Sequence, residues 1–213
     1  MYRRIVAASA PPPAASEMRN PSRAERFITL EDRARRNHHR GGVLWFTGLP
    51  GSGKSTLAFA LERALFEKGY SVYVLDGDNM RQGLNGDLGF SPEDRAENIR
   101  RAGEVAALFC QAGMLSIAAF ISPYGSDRER ARKAAGDGFH EIYVKADLET
   151  CMRRDPKGLY SQARRGEIHQ FTGVSAPYEV PEHPDLVVDT SQASVDASLA
   201  TLTDFVAHRF EFM

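Results

Sequence analysis

Five short apolar runs punctuate the chain, each followed by a segment with helical spacing or helix-capping signals. Val43-Leu-Trp-Phe-Thr47, Ser71-Val-Tyr-Val-Leu75, Leu115 to Ile121, Phe139 to Lys145 and Asp185 to Asp189 read as buried strands. Between them, Leu57 to Phe66 reads as a helix ended by Gly69. Ser91-Pro-Glu-Asp94 is a compact helix start, with a capping serine, a first-turn proline and acids at the positive end. That helix is expected to run to about Gln111, with Gly113 ending it. Further helices are expected over Asp127 to Ala135, Asp147 to Arg154 and Ser194 to Arg209. Such alternation predicts an α/β fold: a mostly parallel five-stranded sheet with helices on both faces. Ligands in these sheets sit beyond the strand C-terminal ends.

The pattern also divides the chain. Residues 1 to 22 are rich in Ala, Pro and Ser and are expected to be a disordered tail or linker. Residues 23 to 40 read as an N-terminal helical extension, a basic and partly amphipathic helix from Ser22 to His39 packed on the domain. His38 and His39 have no neighbouring cluster of metal ligands and read as solvated surface. The domain proper spans 41 to 213. At 213 residues the chain can bury a sizeable core. Its formal charge of −1 gives no global field for nucleic acid or membrane binding. No apolar run is long enough to span a bilayer, and the residues ahead of Pro11 are too short for a secretory signal. Cys110 and Cys151 lack metal-ligand or redox-motif spacing and read as small buried hydrophobes of a reducing compartment. A cytoplasmic location is expected.

Chemistry enters after the first strand. Gly48-Leu-Pro-Gly-Ser-Gly-Lys-Ser-Thr56 fits the phosphate-binding loop G-x-x-x-x-G-K-[ST] at every fixed position. Gly48, Gly51 and Gly53, with Leu49, Pro50 and Ser52 between them, let successive N–H groups curl around one anion. Lys54 supplies a point charge for the outer phosphates, Ser55 a hydroxyl for Mg²⁺, and Thr56 leads into the helix from Leu57, whose positive end faces the phosphates. The chain is thus expected to bind a nucleoside triphosphate in a three-layer P-loop NTPase fold.

Three further groups surround that loop. Asp76 and Asp78 flank a glycine at the end of the second strand, where they can hold hydrated Mg²⁺ and orient an attacking hydroxyl. An ordinary surface turn would use the same dipeptides. The third strand ends in Phe-Ile-Ser-Pro-Tyr and carries no acid, which raises the weight on Asp76. Arg81, Arg95, Asn98, Arg100 and Arg101 gather around the long helix start, and Arg95 and Asn98 share a face suited to a second anionic substrate. Arg100 and Arg101 fit a solvated charged face equally well. Phe90 suits either core packing or base stacking. Finally, Arg153 to Arg165 carries five basic residues against one acid around Pro156-Lys157-Gly158, the composition of a mobile basic lid, set at about 153–173. A charged surface helix is the alternative.

Together these segments resemble the adenylylsulfate kinase (APS kinase) family. The resemblance rests on the phosphate loop, Asp76-Gly-Asp-Asn79, Gly89-Phe-Ser91, Asp94-Arg95, Glu97-Asn-Ile-Arg-Arg101 and Phe120-Ile-Ser-Pro-Tyr124. It continues through Arg154-Asp-Pro-Lys-Gly-Leu-Tyr160, Gly166-Glu-Ile168, Phe171-Thr-Gly173 and Pro177-Tyr-Glu179, spanning about 41 to 190. It implies transfer of the γ-phosphate of ATP to the 3′-hydroxyl of adenosine 5′-phosphosulfate (APS), giving 3′-phosphoadenosine 5′-phosphosulfate in sulfate assimilation. By position, it implies that Asp76, Asp78 and Arg81 flank the accepting ribose and the metal. Phe90 and Phe171 would sandwich the adenine, Arg95 and Asn98 would hold the phosphosulfate, and Ile121, Ser122 and Lys157 would complete the pocket. The family's serine at the Ser122 position has been described as a phosphoserine. Direct in-line transfer needs only positioning and charge neutralisation, so Ser122 is expected to act by contact. Lid arginines, Arg164 and Arg165 among them, would cover the ATP phosphates. Ser55 and Asp76 are the expected Mg²⁺ ligands.

The chain departs from the family pattern in two places. Pro50 stands where serine is usual, and Ser175 where an acid is common, so the lid's closed state is expected to be held less firmly. The resemblance further implies a homodimer and, through the tail, an ATP sulfurylase as partner or fused domain. Two alternatives stay open on the residues alone. One is another small-molecule P-loop kinase acting on gluconate, shikimate or a nucleoside monophosphate. The other is a silent regulatory domain, which would have no need to keep Lys54, Ser55, Asp76 and Asp78 together.

Overall fold

Residues 27–211 are described by the computed structural model of the protein. Five parallel strands, β1 (Gly42–Thr47), β2 (Val72–Asp76), β3 (Leu115–Ala119), β4 (Phe139–Lys145) and β5 (Leu186–Asp189), lie in the order β2-β3-β1-β4-β5. The fold is therefore the expected α/β sheet of P-loop type. β1 sits at the centre, with Leu44 opposite Ile117 on β3 and Phe46 opposite Ile142 on β4.

Alternation along β1 divides the core. Leu44 and Phe46 point to one face, where they pack with Leu57, Leu61 and Leu65 of α2 (Lys54–Glu67) and Leu202 and Val206 of α8 (Val195–Phe210). Val43 and Trp45 point to the other, against Ile99, Ala102 and Ala106 of α4 (Pro92–Gln111) and Ala131 of α5 (Gly125–Ala135). Every β1 residue is buried, which explains why the strand is apolar from Gly42 to Phe46 rather than alternating, and why Thr47 at its end donates its hydroxyl to Ile121 O. A third cluster, Ala146, Cys151, Tyr160, Ala163 and Phe171, lies beside the phosphate loop. It joins α6 (Leu148–Arg154) to α7 (Leu159–Arg164).

Local rules account for most boundaries. Ser91 Oγ accepts from Asp94 N at the start of α4, as its sequence predicts. Helix α2 ends with Gly69 at φ +86°, Tyr70 N donating to Leu65 O and Gly69 N to Phe66 O, a Schellman closure. Both cysteines are buried and unpaired.

Four expectations are corrected. The N-terminal helix, α1, spans only Leu30–Asn37, because Thr29 and Asp32 form a capping box there. It does pack on the domain, with Asn37 Nδ2 donating to Gly113 O. His39 is 2% exposed rather than solvated: Nε2 accepts from Ser71 N and the ring lies 5.0 Å from that of Tyr70. The Asp76–Asn79 segment is not a plain turn but enters a short helix, α3 (Gly77–Arg81). The basic segment after Arg154 contains α7, which the expected element order does not include and the charged-helix alternative does. The expected tail at 1–22, and residues 23–26 of the expected extension, lie outside the described residues. Among the described residues no helix is long and apolar enough to cross a membrane.

Candidate active site

All five strands end on one side, and the cleft opens there. The phosphate loop leaves β1 and turns into α2 through Gly51 and Gly53, at φ +78° and +96°, conformations that disfavour any side chain. Helix α2 has no acidic residue in its first turn, so its N-terminal partial charge faces the loop uncompensated. Lys54, the first residue of α2, is 8% exposed, and its Nζ donates to Gly48 O and Leu49 O at 3.0 and 2.8 Å. Burial pushes its ammonium down to about 8, against the opposing pull of Cys151, Asp76 and Asp78.

The next group comes from β2. Asp76, in register with Ala119 of β3, carries the carboxylate that β3 lacks. Its Oδ1 accepts from Asp78 N and Asn79 N, capping α3, and its Oδ2 accepts from Ser55 Oγ at 2.7 Å. One carboxylate thus fixes both the entry to α3 and the hydroxyl that follows Lys54. Two hard oxygen donors this close suit Mg²⁺, which uses few protein ligands and fills its shell from phosphates and water. Asp78 lies two residues further, in the first turn of α3, and accepts from Lys157 Nζ, which reaches it from the segment between α6 and α7.

The far wall is built from α4 and the segment before it. Arg81 donates to Leu88 O and Gly89 O, and its guanidinium sits 4.4 Å from the centre of the Phe90 ring. Arg95 donates to Phe90 O, Gln170 O and Thr172 Oγ1, tying α4 to the return of the basic segment. Asn98, 6% exposed, accepts from Asn85 Nδ2 at 2.9 Å. Phe90 is 64% exposed, whereas Phe171 is buried with its ring edge-on to Tyr160 at 5.0 Å.

One cleft of about 1390 Å³ takes in both walls. Of the residues singled out from sequence, Pro50, Gly51, Gly53, Lys54, Ser55, Thr56, Asp76, Asp78, Arg81, Phe90, Arg95, Asn98, Ile121, Ser122, Lys157 and Phe171 line it. Ser122 Oγ accepts from Trp45 Nε1 at 3.1 Å, and its backbone stands at φ +39°.

Five others are placed elsewhere. Gly48, Leu49 and Ser52 form the loop's inner side without lining the cleft. Arg164 and Arg165 also lie off its lining, because Arg165 pairs with Glu167 at 2.5 Å and Arg164 reaches Met152 Sδ. The arginine that does line it is Arg154, held by Thr190 Oγ1 and Thr190 O. The sequence places Arg154 in the basic run and in the family-like segment Arg154-Asp-Pro-Lys-Gly-Leu-Tyr160 without giving it a site role of its own. It is the last residue of α6, a placement that a run of basic residues does not reveal by itself. Tyr160 was likewise passed over as a residue with a role, yet its OH donates to Pro50 O at 2.9 Å from a buried position. Arg100 pairs with Glu97, and Arg101 with Glu97 and Asp87, the charged surface role allowed for them.

A phosphate loop, a strand-end carboxylate bonded to the loop's serine, and a basic segment closing on a second, arginine-lined wall define a P-loop kinase. Comparison with known proteins narrows the class. Residues 40–189 match the Adenylylsulphate kinase family. Adenylyl-sulfate kinase of Geotalea uraniireducens is 59% identical over 185 residues, covering 86% of this chain and 89% of its own. A solved structure of the Mycobacterium tuberculosis APS kinase CysC in complex with AMPPNP and APS is 51% identical. It superposes with a TM-score of 0.75, covering 78% of this chain and 96% of that one. A gluconokinase of Sinorhizobium meliloti, 18% identical with a TM-score of 0.50, shares the fold alone. The chain belongs to the adenylylsulfate kinase family.

Proposed function

We propose that this chain transfers the γ-phosphate of ATP to the 3′-hydroxyl of APS, using ATP and APS as its two bound substrates and Mg²⁺ as cofactor. The observation that carries the reading is the single cleft lined both by the phosphate loop and by Arg81, Phe90, Arg95 and Asn98, with Asp78 on the same lining. A kinase of this kind has little covalent chemistry to perform, so positioning and charge neutralisation account for its work.

Each residue then has a task. The loop amides, the α2 N-terminus and Lys54 hold the outer phosphates of ATP, and Arg154 adds a cation from the basic segment. Ser55 and Asp76 would hold Mg²⁺, whose contribution is neutralisation of developing charge on the phosphates. Asp78 accepts from the 3′-hydroxyl and orients it for in-line attack, while Lys157 keeps that carboxylate in place. Arg95 and Asn98 take the phosphosulfate, and Phe90 with Phe171 bracket the adenine. Ser122 acts by contact. The bond from Trp45 Nε1 to its buried Oγ supports that reading, since it anchors the hydroxyl to the core as a fixed contact on the cleft wall. Residues 153–173 form the lid, hinged near Gly158 at φ +67°.

Asp78→Asn tests the central role. It should lower kcat by at least about a hundredfold, the span typical of a lost general base, and change ATP affinity little. Label from γ-labelled ATP should appear on the 3′-oxygen of the acceptor. An unchanged kcat would remove Asp78 from catalysis, and label released only as inorganic phosphate would remove the acceptor.

A further inference from the structure

Asn85 belongs to no motif and does not line the cleft, yet it is fully buried and bonded to a residue that does. Its backbone is fixed on both sides: Asn85 N donates to Met80 O at 2.9 Å, and Leu88 N donates to Asn85 O. Arg101 clamps the same loop by donating to Leu84 O and to both carboxylate oxygens of Asp87. From that fixed position Asn85 Nδ2 donates to Asn98 Oδ1 at 2.9 Å, while its own Oδ1 is buried without a protein partner among the described residues. A buried acceptor left unpaired carries a desolvation cost and calls for a reason.

The partner supplies one. An asparagine side chain presents an acceptor on one side and two donors on the other. With Oδ1 of Asn98 occupied by Asn85, the group left for the cleft is the Nδ2 amine, which makes no protein hydrogen bond among the described residues. An amine can only donate, so it favours an oxyanion and offers nothing to a ligand donor. We infer that Asn85 is a positioning residue that fixes the donor side of Asn98 toward the anionic group of the acceptor substrate. It acts with Arg95, three residues earlier on the same helix face. The inference rests on the reading of Asn98 as an acceptor contact.

The test is a mutant cycle with KM for APS, KM for ATP, kcat and binding of an ATP analogue measured on each protein. Asn85→Asp replaces the donor by a carboxylate, which turns the amine of Asn98 inward and leaves its carbonyl oxygen facing the anion. KM for APS should rise about tenfold or more, the span of a hydrogen bond to a charged group, while KM for ATP stays within about twofold. A buried carboxylate can compromise folding, so Asn85→Ala is measured alongside it. Its smaller rise in KM for APS should vanish in the Asn98→Ala background, which a purely structural role would not do. An Asn85→Asp protein that binds the ATP analogue normally with unchanged KM for APS would overturn the inference. So would an Asn85→Ala effect that persists in full beside Asn98→Ala. An Asn98→Ala protein with unchanged KM for APS would instead overturn the substrate role of Asn98, and the inference with it.

Discussion

Lys54 shows how one side chain can be both fixed and poised. Its ammonium is buried against its own loop, held by two carbonyls, and depressed to about 8 by loss of water. Bound polyphosphate favours the charged form, so nucleotide binding should take up a proton above that value. The sign follows directly: affinity for an ATP analogue should be level below pH 8 and fall as pH climbs, by up to about tenfold per unit. Calorimetric titration from pH 7 to 9.5 would check this, and a constant affinity across the range would contradict it. Lys54 was legible in the sequence because its loop is a contiguous motif. Asn85 was not, since its importance lies in a partner thirteen residues away that only the packing of α4 reveals. The choice of Arg154 over Arg164 and Arg165 was equally hidden. Basic residues in one run look alike until helix phase decides which of them faces the cleft.

At the scale of elements, the contacts between α7 and the phosphate loop deserve a direct test. Tyr160 places its ring against Phe171 and donates its hydroxyl to Pro50 O, so one residue joins the two walls. Tyr160→Phe keeps the ring and removes the donor. It should cost about 1 kcal/mol of support for the loop and raise KM for ATP roughly fivefold, with KM for APS little changed. Tyr160→Leu should raise both constants, because Phe171 also loses its neighbour. Steady-state kinetics on the pair would decide, and a Phe variant indistinguishable from the parent would refute the link. Sequence reading found all five strands and the long helices because their apolar runs and caps are local signals. It missed α3 because Asp-Gly-Asp-Asn favours turns and helix starts alike, and the carboxylate of Asp76 tips the balance only once its two bonds to α3 amides are seen. It held α7 only as a charged-helix alternative because Pro156 and Gly158 interrupt the pattern, whereas Gly158 in fact opens the helix at φ +67°. Ser175 turned out to have a local role of its own, accepting from Phe171 N at 2.9 Å.

Across the whole molecule, the third-strand side of the cleft leans on a buried ion pair. Arg128 Nε donates to Glu141 Oε1 at 2.5 Å, and its Nη1 donates to Ser122 O. α5, β4 and the turn bearing Ser122 are thereby joined through one guanidinium. Removing it by Arg128→Ala would leave the Glu141 carboxylate only the longer contact from Arg132 Nη2 at 3.7 Å, at a cost of about 3 kcal/mol, the low end for a broken buried pair. Thermal unfolding should then shift down by roughly 10 °C, and a shift below about 2 °C would show that the pair adds little. The same fold brings donor loop and acceptor wall into one cleft, and the account stands or falls on their joint use. The most direct measurement is coupled ADP release by the purified protein with MgATP, with and without micromolar APS. Release that depends on APS and yields a 3′-phosphorylated product is the predicted result. A protein that binds ATP yet shows no stimulation by APS would contradict the account.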